Sequence, residues 1–154
     1  MARFVYELNT KVFWCVTIAS KSAPTVAEIN AGTNITSFLT KDGVSRPATQ
    51  NMVSSGSLAE SYNAEVVGSW GGGAFELKGY RDDVADSFWN LGIYSTNGFL
   101  VIIPRGTVAA ANKCEVWPAQ MHTPIMGQTA QDEVQAFTLA LAITSQPEMK
   151  ATIA

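Results

Sequence analysis

"GSWGGGAFELKGYRDD", Gly68 to Asp83, is the stretch on which the fold turns. Three consecutive glycines separate one apolar run from a second, and the second ends in Arg81-Asp82-Asp83. A loop that cradles a phosphate aims backbone N–H groups at the anion, with a helix N-terminus behind them. The Walker pattern also needs Lys then Ser or Thr directly after its last glycine, where Ala74 and Phe75 stand here. The dinucleotide fingerprint needs a helix after its glycines, and an alternating strand follows instead. Phe75, Leu77 and Gly79 share one face of that strand, while Glu76, Lys78 and Tyr80 share the other. Gly71, Gly72 and Gly73 therefore read as a hairpin connection between two strands, supplying positive φ.

Downstream, Gly79 sits mid-strand and lowers strand propensity, so a bulge or close packing is expected against it. "DDVADSFWNLG" then reads as a helix. Val84, Phe88 and Leu91 fall at i, i+4 and i+7, Asp82 or Asp83 caps the start, and Gly92 ends it. An Asp83→Ala change is expected to cost about 1 kcal/mol through the lost cap. Asp86 reads as a first-turn acid favoured by the helix dipole.

The rest of the chain reads mostly as short strands: Arg3–Asn9, Lys11–Ala19, Thr33–Thr40, Leu58–Trp70, Gly98–Arg105, Lys113–Met121 and Glu133–Ser145. The first two are expected to form a tight hairpin at Asn9-Thr10. Between Pro24 and Gly32, Thr25 followed three residues later by Glu28 suggests one helical turn. Lys41–Ser57 is polar, broken by Pro47 and Gly56, and reads as a long loop, a kind of segment that is uncommon in compact domains unless functional. Pro147–Ala154 reads as a last strand or a C-terminal arm. The sum is a single mainly-β domain over residues 1–154, two packed antiparallel sheets forming a sandwich or barrel, with one flanking helix and one long loop.

Composition points toward assembly. Charged residues are 15% of the chain, where about 25% is usual. Uncharged polar residues fill the gap, with 14 Thr, 12 Ser, 8 Asn and 6 Gln. So few charges leave sheet edges without their usual protection against pairing with another chain. The net charge of −3 argues against a nucleic-acid gripper, which carries a basic stripe. "VFWCVTIAS" (Val12–Ser20) has the apolar character of a signal h-region, but Arg3, Glu7 and Lys11 interleave with apolar residues in the manner of a strand pair. The longest later aliphatic-aromatic run is "FLVII" (Phe99–Ile103), far short of the ~20 residues a membrane helix needs, so a soluble chain with no membrane partner is expected.

Chemistry finds little support. Arg81-Asp82-Asp83 lacks further ligands at cation-site spacing and reads as capping plus a local or intersubunit ion pair. His122 is the one histidine and stands beside no nucleophile motif. Cys15 and Cys114 lie in apolar runs and read as buried thiols, without zinc-site spacing. Trp14, Trp70, Trp89 and Trp117 read as packing, although exposed tryptophans would suit sugar stacking. Neither an enzyme activity nor a cofactor is expected.

At "GSWGGGAFELKGYRDDVADSFWNLG", with "PTVAEINAGTNITSFLTKDG" upstream and "KCEVWPAQMHTPI" and "FTLALAITSQPEMKATIA" downstream, the sequence resembles the major tail tube protein of long-tailed, non-contractile bacteriophages. The likeness runs from Pro24 to the end. It implies a virion subunit, assembled in the host cytoplasm, whose hexameric rings stack into a hollow tube that double-stranded DNA traverses. Its partners would be further copies of itself and the tape measure, tail terminator and tail-tip proteins, with DNA passing ungripped. Six chains at −3 sum to −18, which favours sliding over binding. The Lys41–Ser57 loop, including Arg46, Gln50, Asn51 and Met52, and the segment from Pro147 are the candidate intersubunit contacts. Gly71, Gly72, Gly73, Arg81, Asp82 and Asp83 are candidate structural or assembly residues. A carbohydrate- or partner-binding β-sandwich is the alternative.

Overall fold

The computed structural model describes residues 9–46, 49–56, 59, 61–62, 64–71, 73–128 and 130–154. The strand expected over Arg3–Asn9 and its hairpin fall outside them, apart from Asn9, which is helical, and Thr10. Among the described residues, nine strands form one antiparallel sheet: β1 (Lys11–Cys15), β2 (Thr33–Asn34), β3 (Leu39–Ser45), β6 (Phe75–Tyr80), β7 (Asn97–Ile103), β8 (Lys113–Met121), β9 (Ile125–Met126), β10 (Ala136–Ile143) and β11 (Glu148–Thr152). Its order is β2-β1-β7-β8-β10-β6-β3, with β9 on β10 and β11 on β8. Two further strands, β4 (Thr49–Ser54) and β5 (Glu65–Gly71), pair only with each other among the described residues.

The sheet folds onto itself. β8 meets β10 only through Ala119–Met121, and the halves on either side of that junction face each other. Val12, Trp14, Leu100, Ile102 and Trp117 from one half pack against Phe75, Leu77, Phe137 and Leu139 from the other. The rings of Phe75 and Trp117 meet edge to face at 5.1 Å across this core. The two packed layers expected from the sequence are thus halves of a single hydrogen-bonded sheet.

Pro118 marks the point where β8 changes partners. Glu148 to Thr152 of β11 pair along the start of β8, and β10 pairs along its end. A proline lacks the N–H that a ladder needs and is tolerated where pairing lapses. Its carbonyl still accepts from Thr144 N (3.0 Å).

β1, β7 and β8 are buried on both faces, which is why "FLVII" is a continuous apolar run instead of an alternating one. Their second face carries Phe13, Cys15, Val101, Ile103, Cys114 and Val116, covered by Ile29, Ile18, Ala151 and Ile153. Ile29 belongs to helix α1 (Val26–Ala31), where Thr25 and Glu28 form a complete capping box. The expected single turn is therefore a second helix. Residues 147–154 are no free arm: β11 is a docked strand, and Ala154 N donates to Pro24 O (2.9 Å) while Val26 N donates to Ala154 O (3.2 Å).

Two other expectations change. Thr33–Thr40 divides into β2, a 3-10 turn at Thr36–Phe38 and the start of β3, where Thr36 Oγ1 accepts from Val12 N (2.9 Å). Helix α2 is short, Ser87–Leu91, and begins after the aspartates proposed as its caps. Val84 lies before it and is exposed, whereas Phe88 is buried and Leu91 packs on the core.

Candidate assembly interface

Lys41–Ser57 is not a structureless loop. Lys41–Ser45 completes β3, and Thr49–Ser54 is β4. The segment looked loop-like because β4 turns no face toward a core, so its sequence lacks strand-type alternation of apolar and polar residues. Each residue of β4 is exposed, and β4 and β5 make a two-stranded arm standing off the folded sheet. An isolated two-stranded ribbon is marginally stable in water. This one still exposes Met52, Val53, Val66 and Val67, each more than half accessible.

Pairing within the arm is specific. Thr49 faces Gly71, Gln50 faces Trp70, Met52 faces Val67 and Val53 faces Val66, with a bulge between Gln50 and Met52. Gly68 sits at the bulge, where a Cβ would lie 2.9 Å from both the Asn51 carbonyl oxygen and Val53 Cγ2. The glycines beyond it do not make a hairpin, because β5 pairs with β4 and the following β6 pairs with β3 and β10. Gly71 and Gly73 belong to a crossing between the arm and the main sheet. Gly71 avoids the left-handed region, and a Cβ there would meet nothing within 4 Å. Gly72 lies outside the described residues.

At the arm's root, Arg46 Nε pairs with Glu115 Oε2 at 3.0 Å. The same Glu115 oxygen accepts from the buried Trp117 Nε1 at 3.1 Å. This carboxylate therefore connects the first residue after β3 to the core of β8. The structure brings Arg46, Gln50, Asn51, Met52 and Gly71 together in the arm and its root.

Arg81, Asp82 and Asp83 stand apart from the arm, at the corner between β6 and α2. Arg81 pairs with Asp86, which also accepts from Asp82 N (2.9 Å). Asp82 Oδ1 accepts from Val84 N (2.9 Å). Asp86 occupies the N-cap position of α2 without bonding its amides, because its oxygens are taken by Arg81 and Asp82. The Arg81 guanidinium hydrogen bond, followed by the Asp82 N–H, holds the Asp86 carboxyl below the usual range. The Arg81 guanidinium also lies 4.4 Å from the Trp89 ring centroid. Arg81 thus makes the local ion pair, with Asp86 as its partner. Asp83 is exposed and lies four residues ahead of the helix. The expected capping loss on Asp83→Ala has no basis in this geometry.

Sequence reasoning missed Asp86 as the ion-pair partner, Glu115, and the exposed valines of the arm. A readable signal existed for the last of these. Val66-Val67 and Met52-Val53 are adjacent apolar residues in otherwise polar segments, which places apolar groups on both sides of a strand.

His122 is exposed and meets Tyr94 edge-on at 5.3 Å, beside an open groove of about 510 Å³. Ser95 in that groove accepts from Gln120 Nε2 (3.2 Å). Cys15 and Cys114 are buried free thiols, and burial, first among the causes, pushes each up to about 11. Trp14 and Trp117 are in the core, and Trp89 is half-buried beneath Arg81. The side chain of Trp70 lies outside the described set. Among the described residues no His, Cys, Asp and Glu cluster could hold a metal, and no helix is long and apolar enough to cross a membrane.

A scan of protein families matches residues 2–154 to the phage tail tube protein. The chain belongs to the phage tail tube protein family. It is a structural component of the virion tail and not an enzyme, and other tail proteins are its assembly partners. A cryo-EM structure of the anti-feeding prophage baseplate, 6-fold symmetrised, superposes with a TM-score of 0.59 at 14% identity, covering 98% of both chains. At that identity the likeness is one of fold. No curated protein matches the sequence.

Proposed function

We propose that this tail tube protein forms hexameric rings that stack into the hollow tube of a long, non-contractile tail, assembled in the host cytoplasm. Double-stranded DNA would pass through the tube without specific binding. The observation that carries the reading is the β4–β5 arm, which stands off the sheet with its apolar residues exposed. Such a ribbon becomes stable when it is completed by something else, and in a tube the available surface is another subunit. The 6-fold symmetry of the baseplate neighbour supports six as the ring number.

The outward faces of β6 and β10 would line the passage. They carry Glu76, Lys78, Tyr80, Thr138, Ala140 and Ala142, exposed or half-buried and outside both cores. Glu76 and Lys78 cancel in charge, and the β10 positions are small. Such a wall sets one lysine beside one glutamate and gives phosphates no basic stripe to grip. Its other partners would be the tape measure, tail terminator and tail-tip proteins.

The test is electron microscopy of the concentrated protein with its tail-initiating factors supplied. Hollow tubes with six subunits per ring are expected. Particles that stay solitary, or rings of another number, overturn the reading.

A further inference from the structure

The two ends of the strand ladder carry opposite charge. β8 and β9 follow one another along β10, since Met121 pairs with Leu141 while Ile125 and Met126 pair with Thr138 and Phe137. Lys113 at one end of this line and Met126 at the other are separated by roughly 30–40 Å of extended chain.

At the Lys113 end, three bases lie on neighbouring segments. Lys11 pairs with Ile103, Thr10 Oγ1 donates to Pro104 O (3.3 Å) just ahead of Arg105, and Lys113 pairs with Thr152. Beside them the exposed Ala109-Ala110-Ala111 stretch is pinned by Ala111 N donating to Ile153 O (2.8 Å). At the Met126 end, β6, β9 and β10 finish together, where Arg81 N donates to Gln135 O (3.0 Å) and Arg81 Nη1 to Met126 Sδ (3.7 Å). Arg81 and Asp86 cancel, which leaves Asp82, Asp83, Asp132 and Glu133. These acids rim an apolar patch of Val84, Ile125 and Val134, which are 88%, 67% and 67% exposed. None of the four acids or three bases makes an ion pair among the described residues.

We propose that this acid-rimmed apolar end docks on the basic end of a further copy of the chain, so that copies join end to end in one direction only. The inference rests on the reading of the chain as a self-assembling tube subunit. Charge selects the occupant: carboxylates meet ammonium and guanidinium groups across this joint, whereas acid on acid or base on base sets like charges together. An end that rejects itself and accepts its opposite makes a heterologous contact, which propagates instead of closing as a symmetric dimer. The valines and isoleucine meet the alanines of the opposite end, giving the joint an apolar centre and a charged rim. Every copy in such a stack points the same way.

The test uses the full chain. Asp83→Lys/Asp132→Lys/Glu133→Lys makes both ends basic, and Lys11→Glu/Arg105→Glu/Lys113→Glu makes both ends acidic. Each triple variant alone should form no tubes, or need at least tenfold more protein than wild type, and an equal mixture of the two should assemble. A melting curve for each shows that the chain is folded. Tubes from either triple at the wild-type concentration overturn the inference. So does a mixture of folded triples that stays unassembled, which would assign the acidic end to a different tail protein. A second measurement does not depend on the triples folding. Chains carrying Glu133→Cys and chains carrying Arg105→Cys, mixed in tubes, should join through a short bismaleimide, while tubes of either one alone should not; Cys15 and Cys114 are buried and give little background. Tubes that form without the mixed cross-link, or with a like-end one, overturn the inference and leave the tube reading standing. A wild-type chain that forms no tubes removes the tube reading itself, and the end contact with it.

Discussion

Phe88 is seated directly on Gly79: a Cβ built on that glycine would lie 2.5 Å from the ring's Cε1. The glycine that weakens β6 as a strand is what allows α2 to dock on it, and the Phe88 ring then meets Phe137 at a tilt, with centroids 4.9 Å apart. Opposite the same glycine, β3 pairs Leu39 before its register shifts. Both compensations expected for a mid-strand glycine are present.

Gly79→Ala should therefore cost about 1–3 kcal/mol by overpacking, and Phe88→Ala about 3–5 kcal/mol by leaving a cavity. The double variant should lose less than the sum, because removing the ring makes room for the methyl group. Denaturant unfolding of the three variants measures this coupling. Additive losses would mean that the two residues do not touch.

Asp86→Asn tests the corner that aims α2. Its carboxyl titrates below the usual range in the folded chain, so its stabilising effect is present above the unfolded value. That effect fades as pH falls through the depressed folded value. Wild type should melt higher than Asp86→Asn at pH 7, with the gap closing in acid below about pH 4. A gap that persists unchanged into strong acid would place the contribution elsewhere.

Glu115→Gln separates the arm's orientation from the stability of the core. Glutamine keeps an oxygen for Trp117 Nε1 but loses the ion pair to Arg46. The pair is partly exposed, so melting should change by less than about 1 kcal/mol. Amide exchange in β4 and β5 should quicken. Unchanged exchange in the single variant would show that the carboxylate does not hold the arm.

Cys15 and Cys114 should resist alkylation in the folded chain at neutral pH, since burial keeps both protonated. A thiol raised from 9.0 to about 11 stabilises the fold fully below pH 9. That contribution is lost as pH climbs toward the folded value. Melting should therefore fall in strongly alkaline buffer, and less steeply for Cys15→Ala at comparable starting stability. Rapid labelling at pH 7 would contradict the burial.

Legibility followed from where a core imposed a pattern. β6 alternates because one face is buried, and its faces were readable residue by residue. β8 was readable from Lys113 to Met121 despite Pro118, since its apolar residues continue past the proline. The Thr25 and Glu28 spacing marked the start of α1 through its capping box. The arm was opaque because no face of it meets this chain's core, so the polar Lys41–Ser57 resembled a loop. The glycines misled for a related reason: a crossing between two sheets and a hairpin use the same residues, and only strand pairing distinguishes them. The helix start was misplaced because Asp82, Asp83 and Asp86 are all plausible caps in one dimension. Arg81, by engaging Asp86, decides their roles in three.

In the proposed tube, the arm is the element that other copies complete. The direct measurement replaces Thr49–Gly71 with a short Gly-Ser linker and follows both melting and assembly. A core that melts close to wild type and forms no tubes is the predicted result. Tubes of normal length and width from the armless chain would contradict it.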